Sequence, residues 1–281
     1  MLTSIQLMER IEKNVGVPWQ SQRPDGYSDG IVFGSPNTGV TGIVTSFTPT
    51  LNVLRQAVAS GKNTIICREG PFYSRGERCP LYFREGPAPS KEQIEADAVC
   101  RSKRDYITRN NLTIIRFVDN WDARSTDGQL RGLTGALGWQ SYHVNPNNGT
   151  EAYDPRNVYF QLPIGSLFDL AHQVKSALKI RGVRVIGDPS SKVRNVALAH
   201  GLLLVADAEN VLRDHTVDVV VAGDAVEWEA VPYFQDLVTA KMSKGLILVG
   251  EEASEEPTPF RMSTRYQKQM LDKLRRRWRQ N

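Results

Sequence analysis

The sequence predicts an α/β fold built mostly from parallel βαβ units. Segments of strand composition alternate along the chain with segments of helical apolar spacing. Two runs, residues 40–67 and 217–250, each read as strand, helix, strand, and a connection of that length joins strands that run parallel. The 281 residues are 40% hydrophobic and 23% charged, which suits a globular chain with a sizeable core and excludes collagen, coiled-coil and wholly disordered readings.

Taken in order, Ile5, Leu7, Met8, Ile11 and Val15 recur at helical spacing, so 3–15 is expected to be a helix. Residues 16–39, rich in Gly, Pro, Asp and Ser, read as loop. A strand over 40–47 comes next. Thr48 as cap and Pro49 in the first turn then open a helix whose buried face is Leu51, Leu54, Val58 and Ala59. Gly61 ends it, and 63–67 has the composition of a buried strand. Residues 70–90 carry Pro71, Gly76, Pro80, Gly86, Pro87 and Pro89 and read as loop. Ser90 is placed to cap a long helix reaching Arg109, with Glu92 and Glu95 favouring its N-terminal dipole. A third strand is expected over 112–118, and a helix over 127–137 closed by Gly138.

Pro146, Asn147, Asn148, Gly149 and Pro155 mark 139–160 as the link between lobes. The chain is thereby divided into a first α/β lobe over 1–140, a second over 141–264 and a basic C-terminal helix over 265–281. The second lobe is expected to hold a helix at 166–178, strands at 183–187, 193–199, 217–222 and 245–250, and a helix at 229–241 entered at Pro232. The two βαβ units also raise the reading of an internal duplication.

The net charge of +4 is unevenly placed. Residues 265–281 hold seven basic residues and one acid, a net of +6, which leaves −2 on residues 1–264. In that tail Tyr266, Met270, Leu274 and Trp278 or Arg277 recur at three- to four-residue spacing, which predicts an amphipathic helix with a basic face. It reads as a surface or subunit-packing helix whose arginines complement the acidic body. Binding of nucleic acid or an anionic membrane is the alternative. The longest apolar runs, such as 202–206 and 219–222, fall far short of the roughly 20 residues of a membrane span. Glu9, Arg10, Glu12 and Lys13 interrupt the N-terminal apolar positions, so no export signal is read. Cys67, Cys79 and Cys100 form no CxxC pair, and a reduced, cytoplasmic protein is expected. Without export, the sequons at Asn111 and Asn148 carry little weight.

Ligands of open α/β sheets gather at the carboxyl ends of strands, and four expected strands end in acids. One runs into Arg68-Glu69, one into Asp119-Asn120-Trp121-Asp122, one into Gly223-Asp224 with Glu227 and Glu229 behind, and the last into Glu251-Glu252 and Ser254-Glu255-Glu256. As surface groups these acids need no function, and Glu227 and Glu229 also suit the first turn of a helix. Neither GxxxxGK[ST] nor GxGxxG occurs. Cys67 reads as a buried structural cysteine rather than a nucleophile. Trp19, Trp121, Trp139 and Trp228 read as core or cleft wall.

The segments TSFTPTLNVLRQAVASGKNTIICREGPFYS, RFVDNWDAR, GDAVEWEAVPYFQD and GLILVGEEASEEP, in this order over residues 40–257, carry a resemblance. The chain resembles the NIF-three-like dinuclear-metal-centre family, often labelled GTP cyclohydrolase I type two, and within it a branch whose motifs read THEP, HDHWHAR, EWE and GH-x-x-SEE. The resemblance implies a two-lobed α/β subunit, a toroidal hexamer, and two divalent metals in a cleft between the lobes. This chain departs from it at every imidazole. Arg68 stands where the branch has a ligand histidine, Val118, Asn120 and Asp122 fill the histidine positions of the second motif, and Glu251 fills that of the last. Asp119, Trp121 and Glu255 fit. His143, His172, His200 and His215 all fall outside these motifs.

The resemblance thus leaves Glu69, Asp122, Glu251 and Glu255 as metal-ligand candidates, with Arg68 among them. Four carboxylates and one guanidinium would carry about −3, and each like-charged pair at 4 Å costs roughly 4 kcal/mol at an effective dielectric of 20. Three outcomes are open. A hard cation binds, Mg²⁺ or Mn²⁺ before Zn²⁺ or Fe²⁺, because the remaining donors are oxygens. Protons bind and carboxyl pKa values rise. Or Arg68 takes the place of a metal. With a metal, the resemblance implies hydrolysis of a C–N or phosphoester bond in a small nucleotide-like substrate, with Arg68, Asp119 and Glu227 as catalytic candidates and Glu69 as a further base. Without one, it implies a binding or scaffold protein that keeps the homo-oligomer and has lost the dinuclear site.

Overall fold

The computed structural model describes residues 1–20, 29–72, 96–124, 127–144, 157–213 and 216–255. The chain forms two compact units, Met1–Ser125 and Thr126–Asn281.

In the first unit, helix α1 (Ser4–Asn14) starts at a capping box in which Thr3 and Gln6 satisfy each other's backbone N–H groups. Four strands come after it, β1 (Gly30–Phe33), β2 (Ile43–Ser46), β3 (Thr64–Cys67) and β4 (Thr113–Arg116), in the sheet order β1-β4-β3-β2. β2, β3 and β4 are parallel; β1 joins the edge antiparallel to β4. The segments TIIC and TIIR are buried at every position, as central strands covered on both faces must be. Helices α2 (Leu51–Ala59) and α3 (Ala98–Arg109) cross between the strands. Leu54, Ala57 and Ile107 pack on Ile65, Cys67 and Ile114. Gly34 ends β1 at φ +95, where a Cβ would stand 2.4 Å from the Leu112 carbonyl oxygen, so only glycine fits this close passage. A one-turn helix, α4 (Asp119–Asp122), comes directly after β4.

In the second unit, α5 (Gly128–Leu137) is capped by Asp127 and closed by left-handed Gly138. A 3₁₀ turn (Gln140–Tyr142) leads into β5 (His143–Val144). Then come β6 (Asn157–Ser166), α6 (Leu167–Leu178), β7 (Arg184–Ile186), β8 (Lys192–Ala199), β9 (Leu202–Leu203), α7 (Val205–Leu212), β10 (Val219–Ala222), β11 (Asp224–Ala225), α8 (Ala230–Thr239), β12 (Gly245–Leu248) and α9 (Glu251–Glu255). The main sheet has the order β5-β6-β8-β10-β12-β7, and β9 pairs with β11 in a separate two-stranded sheet. β10 is parallel to both β8 and β12, whereas β5, β6 and β7 pair antiparallel. The two-residue side-chain period sorts β10 between two cores. Val219 and Val221 meet Leu133, Leu167 and Val174 of α5 and α6. Val220 and Ala222 meet Val211 of α7 and Phe234 of α8.

Both expected βαβ units form, and each joins parallel neighbouring strands. Several details differ. Helix α2 starts at Leu51 rather than at Pro49, with extended Thr50 as its cap because its side chain accepts from Val53 N–H. The loop expected over 16–39 contains β1, whose four residues gain their hydrogen bonds from β4. The division falls between Ser125 and Thr126 rather than at 140, since α5 buries Leu130 and Leu133 in the second unit's core. The second sheet is mixed at its edges. The described part of α3 begins at Ala98, capped by Asp97; Ser90, Glu92, Glu95 and the tail 265–281 lie outside the described residues.

Candidate functional site

At the carboxyl ends of the first unit's parallel strands, the backbone N–H groups of Arg68 and Glu69 both donate to the Phe47 carbonyl, at 3.1 and 2.9 Å. This ties the exit of β3 to that of β2. The Arg68 guanidinium lies 5.9 Å from the centre of the Phe47 ring and donates from Nη1 to Asp122 Oδ2 at 3.0 Å. Trp121, on the same short helix, packs edge-on against Phe117 and carries the Arg124 guanidinium 4.3 Å above its ring.

Next to it lies a buried ionic hub. Arg116, the last residue of β4, is 4% exposed and donates through Nη1 to Asp29 Oδ1 at 3.0 Å and to Asp119 Oδ2. Asp29 Oδ1 also accepts from the Val118 and Asp119 backbone N–H groups at 2.9 and 3.2 Å. Its Oδ2 accepts from Asn120 N–H at 2.9 Å and Asn120 Nδ2 at 3.1 Å. Helix α4 has no capping side chain of its own, and Asp29, distant in sequence, supplies the cap. The Asn120 amide is further engaged by the Gln20 backbone, accepting at 2.7 Å and donating at 3.0 Å. Trp19 stacks on Phe117 beside this contact.

In the second unit, β8, β10 and β12 run out into His200-Gly201, Gly223-Asp224 and Val249-Gly250. His200 Nδ1 lies 3.2 Å from Glu255 Oε1 and its Nε2 lies 3.1 Å from Asp127 Oδ2. Burial works to lower the imidazole pKa, but the hydrogen bonds and charges of Asp127 and Glu255 outweigh it and raise it to about 9. His200 is therefore an imidazolium between two carboxylates at neutral pH. The cradle around it is tight. Gly201 N–H donates to Ser254 Oγ at 3.0 Å, Ser254 Oγ donates to the Glu251 carbonyl at 2.7 Å, and a Cβ on Gly223 would fall 2.5 Å from both Gly201 O and Ser254 Oγ.

Of the expected site residues, Arg68, Glu69, Asp119 and Asp122 belong to the first unit, and Glu227, Glu251 and Glu255 to the second. Asp122 is paired with Arg68, Asp119 with Arg116, and Glu255 with His200. Glu227 is exposed and ion-paired with Arg184. Glu251 opens α9 one turn before Glu255. Asp29, Arg116 and His200 were not anticipated from the sequence as site residues. Cys67 is fully buried, its Sγ lies 3.4 Å from the Ile115 carbonyl, and burial pushes its thiol pKa far up, which fits the structural reading. Trp139 is core, whereas Trp228 is 71% exposed and forms no part of a core.

The residues at the motif positions do not fit a histidine-rich dinuclear centre. Val118 offers only a buried alkyl group, Asn120 is consumed by Asp29 and Gln20, and Arg68 brings a positive charge to the carboxylate a metal would use. Within each unit, the described residues contain no group of three or more His, Cys, Asp or Glu side chains that could hold a metal ion.

Comparison with known proteins gives a family match for the chain. The model of the Duf34/NIF3 (NGG1p interacting factor 3) family matches residues 6–270. The fold is similar to that of a Bacillus cereus protein related to NIF3, with a TM-score of 0.63 and 15% identity over 96% of this chain and 94% of that one. It is also similar to the Staphylococcus aureus hypothetical protein SA1388, at 0.61 and 19% over 90% and 87%. Reduced HcgD from Methanocaldococcus jannaschii matches at 0.57 and 14% over 96% and 94%. No curated protein matches the chain.

Proposed function

The chain belongs to the Duf34/NIF3 family, and from that premise we propose that it works as a metal-free binding protein rather than as a metal-dependent hydrolase. One observation carries this reading: the protein's own cations sit on acids of the family motifs. Arg68 holds Asp122 and His200 holds Glu255. A guanidinium at 3.0 Å already satisfies a carboxylate oxygen, and a cation arriving there must first displace it. The pair also leaves a polar strand end, with Glu69 beside it and Trp121 on the next turn, that suits a small nucleotide-like ligand offering both donors and acceptors. A homo-oligomer, with the toroidal hexamer as the form to look for, and a cytoplasmic location belong to the same proposal. Free Cys67 and Cys100 support the latter.

Metal analysis of protein purified without chelator, with subsequent titration by Mg²⁺, Mn²⁺ and Zn²⁺ under thermal unfolding, tests the reading. Metal well below one equivalent and an unchanged melting temperature are expected. A ligand at a hundredfold excess over its Kd stabilises by about 2.7 kcal/mol, so a clear rise in melting temperature, or two metals per chain, overturns it in favour of the hydrolase.

A further inference from the structure

The two-stranded sheet of the second unit leaves an apolar face open. β9 and β11 are parallel with Leu202 opposite Asp224 and Leu203 opposite Ala225. Leu203 and Ala225 point into the core and are 2% and 7% exposed. Their alternating neighbours point outward, Leu202 at 44% and Leu204 at 36% exposed, with half-buried Val226 alongside through its N–H donated to the Leu203 carbonyl. Trp228 comes two residues later at 71%. The leucine pair on this small sheet, with exposed Trp228 in the turn that follows β11, is a candidate docking surface. The sheet and the turn after it are also acidic, since Asp224, opposite Leu202, and Glu229 are both exposed.

The path of the chain says what covers it. The last described helix, α9, is held against the root of this sheet. Ser254 Oγ accepts from Gly201, the residue before β9, and closely faces Gly223, the residue before β11. The chain therefore leaves the described region beside the open face. Beyond α9 the sequence continues through residues 256–264 into the stretch 265–281, with its apolar Tyr266, Met270, Leu274 and Trp278 and its net charge of +6. Extended, residues 256–264 reach at most about 30 Å, ample for a face that begins at the anchor point. The family match ends at residue 270, so Leu274 and Trp278 lie beyond what membership accounts for.

We propose that residues 265–281 seat on the β9–β11 face of their own chain, with the apolar positions on Leu202, Leu204 and Trp228 and the arginines facing Asp224 and Glu229. Tethering makes the contact intramolecular, so a modest interface suffices. An amphipathic helix laid on an apolar surface is a common recognition mode.

The test uses the full chain with the photo-cross-linking residue benzoylphenylalanine in place of Met270 or Leu274, read by mass spectrometry on the monomer band. Cross-links from either position to residues 202–204 or 224–228 of the same chain are expected. They should be lost in the Leu202→Asp/Leu204→Asp variant, whose changes are on exposed positions and whose fold is checked by circular dichroism, and reduced at high salt. Cross-links that form only between chains, that land elsewhere, that go to co-purifying nucleic acid, or that survive the double substitution each overturn the proposal.

Discussion

Replacing Asp29 by asparagine is the sharpest test of how the first unit holds its strand ends. The change keeps shape and removes charge. Every group facing the two oxygens is a donor: Arg116 Nη1 and the Val118 and Asp119 N–H groups at Oδ1, Asn120 N–H and Nδ2 at Oδ2. Whichever way the new amide turns, its NH₂ meets donors. The guanidinium keeps Asp119 but loses the more deeply buried of its two carboxylates. Removing one partner of a buried ion pair costs about 3–5 kcal/mol, and a buried N–H left without its acceptor costs about 1–3 kcal/mol. These terms overlap, so a loss near 4 kcal/mol is expected, confined to the first unit. Hydrogen exchange by peptide distinguishes the units. Peptides covering 113–122 should lose protection, while those covering 193–199 and 219–222 keep it. A loss below about 1 kcal/mol, or equal loss in both units, would refute the claim that Asp29 caps α4 and anchors Arg116.

The second unit supplies two more expected outcomes. The folded pKa of His200, about 9, lies above the unfolded value near 6.5. Its stabilisation is therefore fully present below pH 6.5 and is lost as pH rises through 9, amounting to about 3 kcal/mol at most. Urea midpoints between pH 6 and pH 9.5 should fall for the native protein and flatten over that window in His200→Gln; a parallel fall in both would exclude His200 as the cause. Gly223→Ala should cost about 1–3 kcal/mol because the added Cβ meets backbone and Ser254, whereas Gly182→Ala, with nothing within 4 Å, should be close to neutral by thermal melting.

The α/β class was legible because β-branched runs such as TIIC, TIIR and VVVA leave little choice but buried strand. Their helical crossovers then dictate parallel pairing. β1 was not legible, since GIVF is too short to outweigh the turn residues around it and draws its pairing from β4. The same limit applied to the site. Arg68 and Asp122 stand out by their places at strand ends, and the structure does join them. Asp29 and Arg116 do not, because their meaning lies in a partner 87 residues away. His200 sits between alanine and glycine with no local signal, and its partners are 55 and 73 residues away. Strand order, rather than spacing, brings such groups together.

The two units neutralise their motif acids by different physics. In the first, the substitution is local. By the resemblance, Arg68 stands where a histidine is expected, and its guanidinium sets a fixed positive charge against Asp122. In the second, the resemblance puts Glu251 where a histidine is expected, which adds negative charge instead of removing it. The start of α9 tolerates that acid, but Glu255, one turn on and 4% exposed, still requires a cation. His200 supplies it from the end of another strand. Burial opposes the charge on this imidazole, and Asp127 and Glu255 together outweigh it. Asp127 acts on the opposite ring nitrogen from the N-cap of α5, where Leu130 N–H already fixes its carboxylate at 2.8 Å. The cap that starts α5 is thus one of the two groups that hold the imidazolium charged, so the counter-ion of the acid on α9 is itself held by a helix start far away in the sequence.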